Sequence, residues 1–200
     1  MSQQASLQAY GLRERKKVKT RLAIQNHALR LFREQGYEET TVEQIAEEAE
    51  VSESTFFRYF PTKADVVMWD NYDPLIVEAF RQQPPELSPI RALRCAFHVG
   101  FEQLSLEEQA EQRERTSLVF SVPELRAAML DQFASSMGLL AEVVAERTGR
   151  PPDDLAVRTL AGAVIGAMMA VMVALHEDPD ADFAELVDEV MGNLEAGFSL

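Results

Sequence analysis

The stretch Thr40–Lys63, TTVEQIAEEAEVSESTFFRYFPTK, decides how this chain folds. Thr41, with Gln44 three residues on, matches a capping box, so a short helix is expected to open there. Val42, Ile45, Ala46 and Ala49 fall at helical spacing on one face, with small alanines where another helix must come close. Glu50-Val51-Ser52 then break the pattern, and Ser52 suits the N-cap of a second short helix, Glu53 to Phe60. Two short helices joined by a tight turn make a helix-turn-helix, whose second helix can lie in a DNA major groove. Phe56 and Phe60, four apart, point inward. Ser54 and Arg58 lie opposite them, with Thr55, Phe57 and Tyr59 toward the flanks. Hydroxyls, an arginine and aromatics on one face suit hydrogen bonding to bases and phosphates.

Outward from this unit, nearly every long segment reads as helix. Ile24, Ala28, Leu31 and Phe32 form an i, i+4, i+7, i+8 stripe that ends at Gly36, a natural residue to follow a helix. Thr62 and Asp65 form another capping pair and open a longer helix running through Val66, Val67 and Trp69, with a kink before Pro74. PPELSP (84–89) reads as a linker, with Ser88 and Pro89 placed to start the next helix. Ser105 with Glu108 makes a further box, and Pro123 begins a helix reaching Thr148-Gly149. GRPP (149–152) and DPDAD (178–182) punctuate the rest. No alternating strand pattern or internal repeat occurs. The expectation is an all-α protein of about nine helices.

The run from Thr20 to Lys63 resembles the amino-terminal domain of the TetR family of bacterial one-component regulators. The matching residues are Thr20-Arg21, Ile24, Ala28, Leu31-Phe32, Gly36-Tyr37, Thr40-Thr41-Val42, Ile45-Ala46, Val51-Ser52, Thr55 through Phe60, and Lys63. FFRYFPTK with Trp69-Asp70 further resembles the actinobacterial branch near mycofactocin-type regulators. Two positions depart from the family pattern. Glu50 stands where the turn usually has glycine, at a cost of about 1 kcal/mol if its backbone is left-handed. Phe57 replaces the usual tyrosine and lacks the hydroxyl that would donate to a phosphate.

The net charge of −14 is unevenly divided. Residues 1–63 hold 10 basic and 9 acidic side chains, which leaves 9 and 24 for residues 64–200. Between positions 13 and 33, Arg13, Arg15, Lys16, Lys17, Lys19, Arg21, Arg30 and Arg33 face only Glu14. The basic end can approach phosphates while the acidic body is repelled, which orients the encounter. Candidate DNA contacts are Arg13, Arg15, Lys16 and Lys17 at the arm, Thr41, Thr55, Tyr59 and Lys63 toward the backbone, Ser54 and Arg58 toward bases, and Ser52 and Phe57 beside them. The expected organisation is a polar, disordered leader over 1–12, a DNA-binding domain over 13–63 and a helical effector-binding and dimerisation domain over 64–200.

With 46% hydrophobic residues the chain can build a core, which excludes wholesale disorder. Its one cysteine, Cys95, forms no intramolecular disulfide and suits a reducing cytoplasm. The first eleven residues lack the charged and apolar blocks of a signal peptide. Glycine-rich nucleotide loops, GxSxG and HExxH are absent, so no enzyme and no cofactor are expected. His27, His98 and His176 are scattered, and no metal site is expected.

Two features of the second part bear on partners. Trp69, Phe97, Phe101, Phe120, Met129, Phe133, Met168 and Met172 are soft or aromatic residues that suit core packing and equally an adaptable apolar cavity. The family resemblance implies an effector pocket there, with Arg94 or His98 reaching a polar head; the branch resembled makes a fatty acyl thioester such as an acyl-CoA the expected ligand. Leu160–Leu175, LAGAVIGAMMAVMVAL, is the most apolar run; its 16 residues would span about 24 Å, short of a hydrocarbon core of about 30 Å. Gly162, Gly166 and Ala170 let another helix come close. The resemblance implies a homodimer built on the last two helices, and Phe183, Leu186 and Val190 are the candidates on the second of them.

Overall fold

The computed structural model describes residues 12–69, 73–101, 105–178 and 180–198. These form ten α-helices: α1 (Leu12–Gln35), α2 (Val42–Glu48), α3 (Glu53–Tyr59), α4 (Lys63–Met68), α5 (Asp73–Arg81), α6 (Pro89–Phe101), α7 (Leu106–Ser121), α8 (Pro123–Thr148), α9 (Leu155–Glu177) and α10 (Phe183–Ala196). No strand occurs among the described residues. Of the expected leader, residues 1–11 lie outside the described residues, and Leu12 is the first residue of α1.

The caps sit where the side chains dictate. Thr41 and Gln44 bond each other's backbone N–H groups, as do Thr62 and Asp65, and Ser52 accepts from the N–H of Thr55. Each such cap contributes about 0.5–2 kcal/mol, which matters for helices of six or seven residues that cannot sustain themselves. Ser105 and Glu108 make the same exchange at α7, and Asp154 accepts from Ala156 and Val157 at α9.

The chain divides into two compact units. The first contains the chain up to Trp69 together with Leu118–Met129; the second contains the remainder. In the first, Ile24, Ala28, Ile45, Phe56 and Val66 are fully buried, with Phe32, Tyr37, Phe60 and Leu125 beside them in the buried set. Burying each of the large side chains is worth about 1.5–3 kcal/mol. In the second, Phe80, Leu93, Phe97, Val143, Val144, Val164, Val171, Val187 and Met191 share one core, with Ala92, Ala96, Ala141, Ala145 and Ala161 where helices approach closely.

The helix expected to run from Thr62 past Trp69 is in fact short. α4 ends at Met68, and Trp69 is extended at φ −63° and ψ 126°. Two causes are visible. The Gln25 amide, 7% exposed, donates to the carbonyls of Val66 (2.8 Å) and Trp69 (2.9 Å), holding the end of α4 in place. Pro74 lies in the first turn of α5, where its missing N–H is tolerated, and a continuous helix through it is not.

The most apolar helix also exceeds expectation. α9 has 23 residues and is long and apolar enough to cross a bilayer, so the argument from a 16-residue run does not hold. One of its faces instead packs into the protein: Val157, Ala161, Val164, Val171 and Leu175 are buried in the second unit's core.

Candidate functional site

The helix-turn-helix is closed by backbone geometry that its sequence resists. The Val51 N–H reaches the Ala46 carbonyl at 2.9 Å and the Glu50 N–H reaches that of Glu47 at 3.0 Å. This pair of bonds requires the residue after the C-cap Ala49 to be left-handed, and Glu50 has φ 53°. Glutamate therefore does here what glycine usually does.

From that turn α3 presents a defined outer face. Phe56 is fully buried and Phe60 nearly so, while Ser52, Ser54, Phe57 and Arg58 are exposed and Thr55 and Tyr59 are half-buried. The hydroxyl of Ser52 lies 2.9 Å from those of both Ser54 and Thr55, a chained set of donors and acceptors at the helix start. The Arg58 guanidinium lies 5.3 Å from the centre of the Tyr59 ring, and Arg21 stacks between Tyr59 (6.0 Å) and Trp69 (5.8 Å). These contacts limit the freedom of Arg58 before any ligand arrives.

Lys63 is used within the unit. Its ammonium donates to the carbonyls of Tyr37 (2.6 Å) and Thr40 (3.0 Å) and lies 4.0 Å from the centre of the Tyr37 ring. It thereby ties the α1–α2 turn to the start of α4. The Tyr37 hydroxyl is buried, and burial first, then the neighbouring Glu124, pushes its pKa upward. On α1, Lys16, Lys17 and Lys19 are exposed and Arg15 is half-buried; the Arg13 side chain lies outside the described residues. Thr41 is exposed with its hydroxyl engaged by the cap.

The profile described as "Bacterial regulatory proteins, tetR family" matches residues 24–67, and that described as "MftR C-terminal domain" matches residues 87–199. The chain belongs to the TetR family of transcriptional regulators. TcmR of Streptomyces glaucescens, named as an HTH-type transcriptional regulator, is 37% identical over 151 residues, 72% of this chain and 67% of its own. MftR of Mycobacterium tuberculosis, whose name assigns it to regulating mycofactocin biosynthesis, is 24% identical over 177 residues, 87% of this chain and 88% of its own. Among solved structures, Thermus thermophilus FadR, a TetR-family repressor in complex with lauroyl-CoA, superposes at a TM-score of 0.55. That likeness covers 90% of this chain and 95% of the other at 24% identity, and it shows the shared fold.

Within this TetR-family chain the effector candidates fall in both units. Trp69, Phe120 and Met129 belong to the first; Arg94, Phe97, His98, Phe133, Met168 and Met172 belong to the second. The side chain of Phe101 lies outside the described residues. Arg94, Phe97 and His98 are brought together with Ala184, Val187 and Asp188 around a void of about 10 Å³, room for roughly one water molecule. Phe97 is buried in the second unit's core with Met168 packed against it, and Phe133 and Met172 are half-buried. Arg94 grips Asp188 through two 2.7 Å bonds and reaches Glu195 at 3.3 Å. Those hydrogen bonds raise the arginine's pKa and lower that of Asp188. Gly192 permits the arrangement, since a Cβ there would sit 3.3 Å from the guanidinium.

The dimer candidates divide as well. Gly162 is half-buried, and a Cβ on it would meet Met137 of the same chain at 3.5 Å, whereas Gly166 and Ala170 are exposed and a Cβ on Gly166 would meet nothing. Phe183, Leu186 and Val190 pack, partly covered, against the protomer's own core. Sequence reasoning missed Gln25 and the inward use of Lys63. A polar residue set beside the buried Ile24 and Ala28 was the only signal for Gln25.

Proposed function

We propose that this chain is a homodimeric repressor that holds a near-palindromic operator and is released by a hydrophobic effector. The outer face of α3 carries the reading: Ser54 and Arg58 face outward, beside a basic run at the start of α1. In this reading Ser54 and Arg58 contact base edges, while Arg13, Arg15, Lys16, Lys17, Thr41, Ser52, Thr55 and Tyr59 position the backbone. Two recognition helices about one DNA turn apart then engage successive major grooves.

Support for the dimer comes from α9. Leu155 is 79% exposed and Val173 38%, with Thr159, Gly166 and Ala170 exposed between them at intervals of three, four and seven. An open groove of about 670 Å³ beside them is lined by Ile90, Leu155, Leu160, Ala163 and Leu194. So much uncovered apolar surface on one helix is costly in water, and a second copy would cover it. A DNA target places the protein in the cytoplasm.

Effector release rests on the fold shared with the lauroyl-CoA complex of Thermus thermophilus FadR and on the methionines and aromatics of the second unit. The units are joined at 69–70, 117–118 and 129–130, and the last two junctions lie within the continuous helices α7 and α8. Those helices, and not α4, transmit strain from an occupied effector pocket. The 10 Å³ void favours a second reading, a regulator that binds DNA constitutively or under a protein partner. The deciding experiment selects DNA with the purified protein and measures operator affinity by fluorescence anisotropy, with and without lauroyl-CoA. Salt-dependent selection with a 5–150-fold loss of affinity on adding ligand supports release. Selection with unchanged affinity leaves the constitutive reading, and no selected DNA refutes both.

A further inference from the structure

Among the described residues of the first unit, Phe57 is the one large hydrophobic side chain that is exposed, at 49%. The other exposed large hydrophobics all belong to the second unit. Its position on α3 is specific. Ser54, Phe57 and Arg58 are spaced i, i+3 and i+4, so the ring stands beside two hydrogen-bonding side chains on one outward ridge. The ring is also held: it meets buried Phe56 edge-on, with centroids 5.4 Å apart and planes at 84°. A fixed, solvent-facing phenyl with no polar atom cannot donate to a phosphate. In a major groove the apolar feature it can cover is the C5 methyl group, which thymine carries and cytosine lacks unless methylated.

We propose, resting on the DNA-binding reading above, that Phe57 is a specificity-determining residue that reads a pyrimidine C5 methyl. Side chains three apart on a helix lie 5–6 Å apart and bases 3.4 Å apart, so the methyl falls within about two base pairs of the base contacted by Ser54.

The test uses the full chain and an operator selected by it. Each thymine is replaced in turn by deoxyuridine, which removes only the methyl, and each cytosine by 5-methylcytosine, which adds one. Affinity is measured for the native protein, Phe57→Ala and Phe57→Leu, all at an exposed position that leaves the fold intact. One symmetry-related thymine pair should be sensitive, with about a fourfold loss per half-site, the worth of one buried methyl. Phe57→Ala should bind the parent operator more weakly and be indifferent to deoxyuridine there, while Phe57→Leu keeps the sensitivity. With a C·G pair placed at that same position, 5-methylcytosine should bind more tightly than cytosine, because the methyl itself is what is read. Uniform affinity across the whole deoxyuridine series, or an undiminished penalty in Phe57→Ala, overturns the assignment while leaving DNA binding standing. Failure to select any DNA overturns both.

Discussion

Replacing Glu50 by glycine should stabilise the DNA-binding unit by about 1 kcal/mol more than replacing it by alanine does. Glu50 closes α2 at φ 53°, with the two backbone bonds of Val51 and Glu50 in place. α10 ends the same way: Phe198 N–H bonds Asn193 and Gly197 N–H bonds Leu194, but there a glycine takes the left-handed position at φ 75°. A Cβ in that conformation costs about 1–2 kcal/mol. Glycine returns about 0.5–1 kcal/mol of this through the greater freedom of the unfolded chain. Glycine should therefore exceed alanine by about 1 kcal/mol. It should exceed the native glutamate by a few tenths more, because the carboxylate sits at the negative end of α2 beside Glu47 and Glu48. For a unit of this size about 1 kcal/mol raises the unfolding midpoint by roughly 4–8 °C. Trp69, the only tryptophan in the chain, packs edge-on against Phe60 at 6.1 Å, so its fluorescence follows this unit's unfolding. Alanine is the control because it removes the charge and keeps the Cβ. Coincident melting of the two variants would refute the claim that this turn is strained.

Lys63→Met should lower the stability of the same unit by about 2 kcal/mol, since two carbonyls lose a charged donor. An unchanged urea midpoint with a salt slope reduced by about one would instead mark Lys63 as a phosphate contact. Gly166→Arg should leave the protomer folded, since a Cβ there meets no neighbouring atom, yet raise the dimer dissociation constant at least a hundredfold by trapping an unpaired charge between helices. A stable dimer of that variant by light scattering would move the interface elsewhere. For Asp188→Asn the loss should be about 0.5–1 kcal/mol at neutral pH, kept small because the carboxylate is half exposed. Since Arg94 lowers the folded-state pKa of Asp188, its contribution is present above the unfolded value near 4 and disappears as pH falls through the folded one. The gap between native and variant denaturation midpoints should therefore hold from pH 8 to 5 and close in acid; a gap that widens on acidification would contradict it.

Local chemistry made the helix starts legible, because a hydroxyl with an acid or amide three residues on has one good use. Thr41, Thr62 and Ser105 all begin helices for that reason, Ser52 caps α3 with its hydroxyl alone, and Glu50 announced its left-handed turn by sitting where the family pattern has glycine. The outward set Ser54 and Arg58 followed from Phe56 and Phe60 facing in. What stayed hidden depends on partners distant in sequence. The end of α4 is held by Gln25, 41 and 44 residues away from the carbonyls it bonds. Lys63 turns inward to carbonyls 26 and 23 residues earlier. Arg94, expected to meet a ligand's head group, is 94 residues from the Asp188 that takes it. No spacing rule reaches that far.

The charge distribution and the recognition face can be argued together. Most DNA-binding proteins draw much of their affinity from a broad cationic surface, which attracts every sequence alike. This chain has a near-neutral amino-terminal part and an acidic remainder, so that attraction is confined to the run on α1. Glu43, Glu47, Glu48, Glu50 and Glu53 flank the reading helix and weaken it further. Binding to random DNA is then poor, and even a modest operator affinity corresponds to a large preference over competing sites. Under those conditions each contact on α3 matters more, and contacts of different kinds add distinct information. In the proposed reading, hydrogen bonds from Ser54 and Arg58 would distinguish base edges, and the apolar ring of Phe57 would distinguish methylated from bare pyrimidines without any dependence on salt. An acidic regulator that cannot rely on the phosphate backbone thus has a physical reason to carry an exposed phenylalanine on its reading helix.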